Sequence, residues 1–163
     1  MLNELKIYKT KDGSISLYSL NHKETFHDIN GAYKEAKEKY FNPAQLNQFP
    51  QRKKIVILDV CMGLGYNFGC IIEPLLERRV QIEWHGLEID HRPLALGLKE
   101  KKFREIWSPK VLNFFESLNK SKKWRYLLNQ GTLHWGDARK KIYEINKLLK
   151  FDLILLDPFS PQK

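Results

Sequence analysis

The chain reads as an α/β protein with a doubly wound, mainly parallel sheet. Three observations point there. Apolar β-branched runs alternate with amphipathic stretches of helical period. A Gly-containing turn, Cys61-Met62-Gly63-Leu64-Gly65-Tyr66, directly follows the most apolar early run. Acidic residues recur where each predicted strand ends, at Asp59, Glu88, Asp137 and Asp157. Strands alternating with helices imply βαβ units, and right-handed crossovers then fix the winding.

Residues 5–20 read as a hairpin. Leu5, Ile7, Ile15 and Leu17 alternate with polar neighbours around Lys11-Asp12-Gly13, a strong turn signal. Residues 31–41 are rich in helix formers, and Asn42-Pro43 is expected to stop that helix. Residues 42–52, with two prolines and three glutamines, read as a linker. The organisation is then a hairpin and helix lead-in over 1–50 and a Rossmann-like domain over 51–163.

Within that domain 54–60 is a strand buried on both faces. Residues 67–79 follow as a helix and 81–89 as the second strand. A helix starts near Pro93, where proline is tolerated. Residues 109–129 give one or two amphipathic helices. Residues 131–135 form the third strand, 137–149 a helix, and 151–157 a fourth strand. The sequence ends at Lys163, just after it. Such a strand is usually covered by further strands, so the expectation is a chain that stops early and an exposed, poorly soluble strand edge.

Composition narrows the function classes. The 163 residues carry 28 Lys+Arg against 19 Asp+Glu, a formal charge of +9, with 42% hydrophobic and 12% aromatic residues. That fits one globular domain and not a disordered tail. There is no apolar stretch of membrane-spanning length and no secretory signal pattern. Cys61 and Cys70 form no CxxC, and the five histidines have no metal-ligand spacing, so no metal is expected. The expected compartment is the cytoplasm. The positive charge favours a polyanionic partner, nucleic acid first.

The Gly turn carries the first chemical signal. Gly63 and Gly65 let the backbone turn tightly and approach a ligand, next to the free N–H groups of a helix start. The order Asp59-x-Cys61-x-Gly63-x-Gly65 departs from a dinucleotide loop. An acid there repels a pyrophosphate but welcomes the ammonium of an amino acid, which favours S-adenosylmethionine (SAM) over NAD. Glu88, 23 residues past Gly65, suits both ribose hydroxyls, with Asp90 as a helix cap. Asp137 suits either the adenine amino group or a cap. Asp157, before Pro158 and Phe159, suits an amine nucleophile whose proton it could take.

Together these positions follow the order of class I SAM-dependent methyltransferases. The resemblance becomes closer in the lead-in. Thr10-Lys11-Asp12-Gly13-Ser14-Ile15-Ser16-Leu17-Tyr18-Ser19, Glu24-Thr25-Phe26-His27 and Gly31-Ala32 resemble the start of the MnmC-type tRNA methyltransferases in their form without the FAD oxidase. That family's loop, acid-x-Gly-Phe-Gly-x-Gly-x-Asn, is matched at Asp59, Gly63, Gly65 and Asn67, with Cys61 in place of the first Gly. Its fourth-strand motif is matched at Leu156, Asp157, Phe159, Ser160, Pro161 and Lys163. The family continues past that strand with Asn-Pro and a Trp, absent here. The resemblance implies that Asp59, Gly63, Gly65, Asn67, Glu88 and Asp137 hold SAM and that Asp157 faces the substrate amine. It also implies methylation of the 5-aminomethyl group of wobble 2-thiouridine in tRNA. The sequence leaves the oligomeric state open, with a monomer expected of the complete fold.

Further substrate contacts are expected from His27 and Phe159, and from the basic cluster Lys122-Lys123 with Trp124, which could stack on a base or pack inward. Two other readings stay open. One is an aminopropyltransferase of the spermidine synthase type. The other is a non-enzymatic tRNA-binding or inactive fragment.

Overall fold

The computed structural model describes residues 5–145 and 149–159. Residues Ser160, Pro161 and Lys163 of the fourth-strand motif lie outside them, as does the stretch 146–148 of the predicted helix.

Alternation in the first segment produces a three-stranded antiparallel sheet: β1 (Leu5–Lys9), β2 (Ile15–Ser19) and β3 (Glu24–Thr25). Ile15 and Leu17 are buried, whereas Ile7 on the edge strand is half exposed. Asp12 ties the turn together, accepting from the Ser14 and Lys34 N–H groups. The predicted helix follows as α1 (Ala32–Ala36), a π turn over Lys37–Phe41, and α2 (Asn42–Ala44). Asn42-Pro43 therefore does not stop it. Asn42 N–H reaches back five residues to Lys37 O, and this wider turn accommodates a proline ring that would clash in a regular helix. The helix ends at Gln45, which takes a left-handed conformation.

The central sheet is built from β4 (Lys54–Val60), β5 (Gln81–Glu88), β6 (Lys123–Tyr126), β7 (Asn129–Trp135) and β8 (Leu153–Leu156). Its order is β6-β7-β5-β4-β8, and every pair is parallel except β6 with β7. The doubly wound, mainly parallel expectation is thus shown.

The helices are α3 (Tyr66–Glu77), α4 (Arg92–Gly97), α5 (Lys101–Arg104), α6 (Pro109–Ser121) and α7 (Ala138–Ile145). The range 109–129 is not helical throughout. Lys122 turns left-handed and ends α6, and 123–126 become an edge strand. Alternation decides this, because Trp124 alone of β6 points inward, stacking on Phe114 at 4.5 Å and lying over Gly131.

One face of the sheet (Ile55, Ile57, Ile82, Trp84, Leu133, Leu155) packs into a continuous apolar cluster with α3 and α6. The lead-in shares this cluster through Ile15, Leu17, Ala32 and Ala36. Tyr66 locks the two together, donating its hydroxyl to Ile15 O at 2.8 Å. The opposite face carries α7 beside His134. Ile154 and Leu156 of β8 lie on that face, 58% and 61% exposed.

Gly86 shows how tightly the first face is packed. A Cβ there would overlap the Trp84 ring and stand 2.9 Å from Leu133 Cδ1. Trp84 is fully buried and cannot swing aside. Gly86→Ala is expected to cost about 1–3 kcal/mol and to lower the melting temperature by several degrees. Circular dichroism melting checks this, and an unchanged midpoint would refute the packing argument.

Candidate active site

Parallel strands deliver their C-terminal ends to one side, which is where open α/β sheets bind ligands. A cavity of about 1120 Å³ lies there. Its floor is Cys61, Gly63 and Glu88, and one wall is Asp157, Pro158 and Phe159. The lead-in covers it with residues between Ser19 and Asp28 and with Glu35 and Lys39. This exceeds the ~300–1,000 Å³ common for a single ligand.

The loop after β4 is pinned to β5. Cys61 N–H donates to Leu87 O at 2.9 Å, and Gly63 N–H donates to Glu88 Oε2 at 2.7 Å. Gly63 and Gly65 have φ of 57° and 90°, the left-handed region that glycine adopts freely. Cys61 occupies the same region at φ 64°, which is strained for a residue with a side chain. It borders the cavity, and burial followed by the charges of Glu88, Asp157 and Asp59 pushes its thiol up to about 11. Buried Cys70 is pushed up to about 12 by burial. Both thiols stay protonated at neutral pH, which argues against a nucleophilic role.

Glu88 is 9% exposed. Its carboxylate accepts from Gly63, Ile89 and Asp90 N–H groups at 2.7, 2.7 and 2.9 Å. Burial raises its pKa, and these bonds oppose the rise. Two carboxylate oxygens offer about four acceptor positions, so a ligand hydroxyl can still be received. Asp90, just before the His91 N-cap of α4, accepts from Arg92 N–H at 2.9 Å and grips the Arg92 guanidinium. It thus satisfies the first helical N–H from one position earlier than the cap itself.

The other predicted residues separate. His27, Gly63, Glu88, Asp157 and Phe159 line the cavity. Asp59 is 0% exposed and lies beneath the loop. Gly65 packs against Phe115 and Met62. Asn67, buried in the first turn of α3, donates Nδ2 to Asp157 Oδ2 at 3.0 Å. Asp137 accepts from Arg139 N–H at 2.9 Å and from its guanidinium, whose bonds hold its pKa at about 2. That geometry is a helix cap. Lys122 and Lys123 are exposed beside the β6 edge, away from the cavity lining. Trp124 is 2% exposed, so it packs inward and is not available to stack on a base.

His27 is buried, its Nδ1 3.1 Å from Ser16 Oγ. Burial lowers its pKa, which favours the neutral ring. Several lining residues were not singled out from the sequence. His22 stacks on Phe159 at 4.4 Å, and Phe26 meets the same ring edge-on at 4.8 Å. Phe26 was within reach, since it sits in the quoted lead-in motif. His22 carries no sequence signal. Glu35 and Lys39 form an ion pair at the rim. Among the described residues no His/Cys/Asp/Glu group could hold a metal ion, and no described helix is long and apolar enough to cross a membrane.

The lining is acid-rich. Glu24, Asp28, Glu35, Glu88, Asp90 and Asp157 outnumber the Lys39, Arg92 and Arg139 cations. This electrostatic setting suits a cationic ligand, in contrast to the basic outer surface.

No family model matches the chain. It is 29% identical over 168 aligned positions to an uncharacterized protein, MJ0670, of Methanocaldococcus jannaschii, an alignment covering all of this chain and 45% of the other. Its structure superposes on the crystal structure of MnmC2 from Aquifex aeolicus with a TM-score of 0.78 and 30% identity, covering 96% of this chain and 50% of that one. The chain therefore spans about half the length of these relatives. It has an MnmC-like methyltransferase fold, Rossmann-like in its mainly parallel sheet.

Proposed function

We propose that the protein is a SAM-dependent N-methyltransferase whose substrate is the 5-aminomethyl group of wobble 2-thiouridine in tRNA. The observation that carries this is the placement of Gly63, Glu88 and Asp157 on one acid-rich cavity at the strand ends. The likeness to MnmC2 supports the same reading.

The residues present fit SAM. The glycine loop lets a ligand approach the backbone, Glu88 has acceptor capacity left for a ribose hydroxyl, and the acidic lining complements a cation carrying both a sulfonium and an ammonium. When bound, SAM supplies an electrophilic methyl group. Gly63 and Glu88 would hold it, with Cys61 beside them. Asp59 is fully buried beneath the loop, and Asp137 accepts bonds from Arg139.

Asp157 accepts a hydrogen bond from the substrate amine and so aims the nitrogen lone pair at the methyl carbon. SAM held by Gly63 and Glu88 would supply that methyl group, its sulfur keeping the bonding pair as the leaving group. The surplus proton on nitrogen leaves to Asp157 or, through it, to water. Catalysis is then orientation and local charge. The exposed Lys122 and Lys123, with Arg139 at the cavity, provide phosphate contacts for RNA. Phe159 and neutral His27 offer apolar and polar surface beside the reacting amine.

Isothermal calorimetry tests the cofactor assignment. Glu88→Ala is expected to weaken SAM binding about 10- to 100-fold, the cost of losing bonds to a charged acceptor. No binding by the wild type, or equal binding by the variant, would overturn it. The acid-rich lining also favours a second reading, aminopropyl transfer to a polyamine. Product mass separates the two as a methyl or an aminopropyl gain.

A further inference from the structure

Two uncharged side chains from distant parts of the chain converge on Asp157. Asn67, two residues past Gly65, donates Nδ2 to Asp157 Oδ2 at 3.0 Å. Tyr40 comes from the π turn. Its hydroxyl donates at 3.3 Å to Leu156 O, the backbone carbonyl just before Asp157. We infer that Asn67 and Tyr40 are positioning residues for Asp157, Asn67 holding its carboxylate and Tyr40 the backbone that carries it at the cavity wall. What Asp157 then does rests on the methyl-transfer reading. The clamp itself rests on geometry.

The chemistry of the two donors supports this. Burial, and then the Asp157 carboxylate, push the Tyr40 phenol far above its usual value, so it stays protonated and able to donate. The Asn67 amide does not titrate. A lysine or arginine in either place would hold the carboxylate but would cancel its charge, which an amine ligand needs. Asn67 holds the carboxylate, and Tyr40 the backbone before it, while leaving that charge intact.

The fold explains why Tyr40 is available. Each residue of a regular helix rotates the next side chain by about 100°. A π turn holds one residue more per hydrogen-bonded ring, which changes the side that its residues face. Asn42 N–H bonded to Lys37 O is that wider ring, and Tyr40 lies inside it. Such turns recur at functional sites. Asn67 is buried, and its Oδ1 has no hydrogen-bond partner among the described residues. An amide kept there at such a cost argues that its donor side matters.

The test has two arms. The first is single-turnover methyl transfer from SAM to RNA carrying 5-aminomethyl-2-thiouridine, with SAM affinity measured by calorimetry. Asn67→Ala is expected to slow transfer about 10- to 100-fold, as loss of a bond to a charged group would, and Tyr40→Phe about 3- to 10-fold, as loss of a neutral one would, with SAM affinity unchanged. Placed on Asp157→Ala, neither should slow transfer further, because both act through that carboxylate. Losses that multiply in that background would overturn the inference. The second arm needs no activity. By NMR the Asn67 side-chain amide should be protected from solvent exchange, and Asp157→Ala should shift its resonance and remove the protection. An amide indifferent to Asp157→Ala overturns the clamp. If that amide responds but the wild type transfers no methyl group, the clamp stands and the methyl-transfer reading falls.

Discussion

Asp157→Ala is expected to lower the rate of methyl transfer by about 10²–10⁴-fold, the range for a lost proton-transfer and orienting group. This corresponds to roughly 3–5 kcal/mol of transition-state stabilisation. SAM affinity should change little, since Gly63 and Glu88 lie across the cavity floor while Asp157 stands in its wall. Asp157→Asn separates charge from shape. The amide keeps an oxygen for Asn67 Nδ2 but cannot take a proton, so it should fall close to the alanine variant. Rapid-quench measurement with labelled SAM gives the rate, and calorimetry gives the affinity. A variant that transfers methyl at the wild-type rate would remove Asp157 from the mechanism. One that loses SAM affinity in parallel would make it a binding residue instead.

Asp59→Asn is expected to reshape the dependence of stability on pH. Asp59 is fully buried in β4, and no donor forms a hydrogen bond to its carboxyl oxygens among the described residues. Burial, reinforced by the charges of Asp157 and Glu88, raises its pKa to about 8, and the nearby Trp84 indole N–H opposes the rise only in part. In the unfolded chain the group titrates near 4. Between about pH 4 and pH 8 the folded state therefore holds a proton that the unfolded state has released. Stability must fall with rising pH across that window and level off above it. Asparagine carries no charge at any pH in the window, so its contribution is flat. Near pH 4 the variant should equal or fall slightly below the wild type, because its amide is also poorly partnered. Near pH 8 it should be more stable, by on the order of 3 kcal/mol, part of the full linkage value being lost to relaxation around the charge. Denaturant titrations at pH 4.5, 6 and 8 measure this. Parallel curves for the two proteins would show that Asp59 ionises normally in the fold.

The same acid pattern led to both residues, yet the fold treats them oppositely. Asp59 falls on the β4 face that packs beside Trp84, because side chains alternate along a strand and Ile55 and Ile57 share that face. Asp157 falls one residue past β8, where the strand has ended and the chain turns along the cavity wall. Asp59 lies opposite Leu155, so Asp157 stands two residues further along the sheet, and that step separates a buried acid from a cavity acid. Asp137 was ambiguous for a similar reason. A cap and a ligand both belong at the start of a helix, and the fold adds bonds from Arg139 on the first turn that the spacing did not announce.

The elements most legible in the sequence were those governed by local periodicity. The apolar run of 54–60 matches β4 residue for residue. The Asp-Gly hairpin and the helix after Gly65 follow from turn chemistry that needs no distant partner. The π turn was not legible, because proline ordinarily ends a helix and only a wider ring relieves its clash. β6 was missed because the residues after α6 retain helical composition. Its identity comes from pairing with β7 and from the place that Gly131 leaves for Trp124.

By itself, the sequence determined a doubly wound α/β chain with a glycine loop, an acid after the second strand and an acid after the fourth. Those features depend on local spacing, which any reader of the chain can count. The tertiary structure decided which acids share a cavity, which lie beneath it, and which are taken up in caps. It also brought His22, Phe26 and Tyr40 from the lead-in to residues 156–159, more than a hundred positions later. The physical reason is that burial and pairing are properties of neighbours in space. A carboxylate or a phenol acquires its role from what packs against it, and no spacing along the chain encodes that contact.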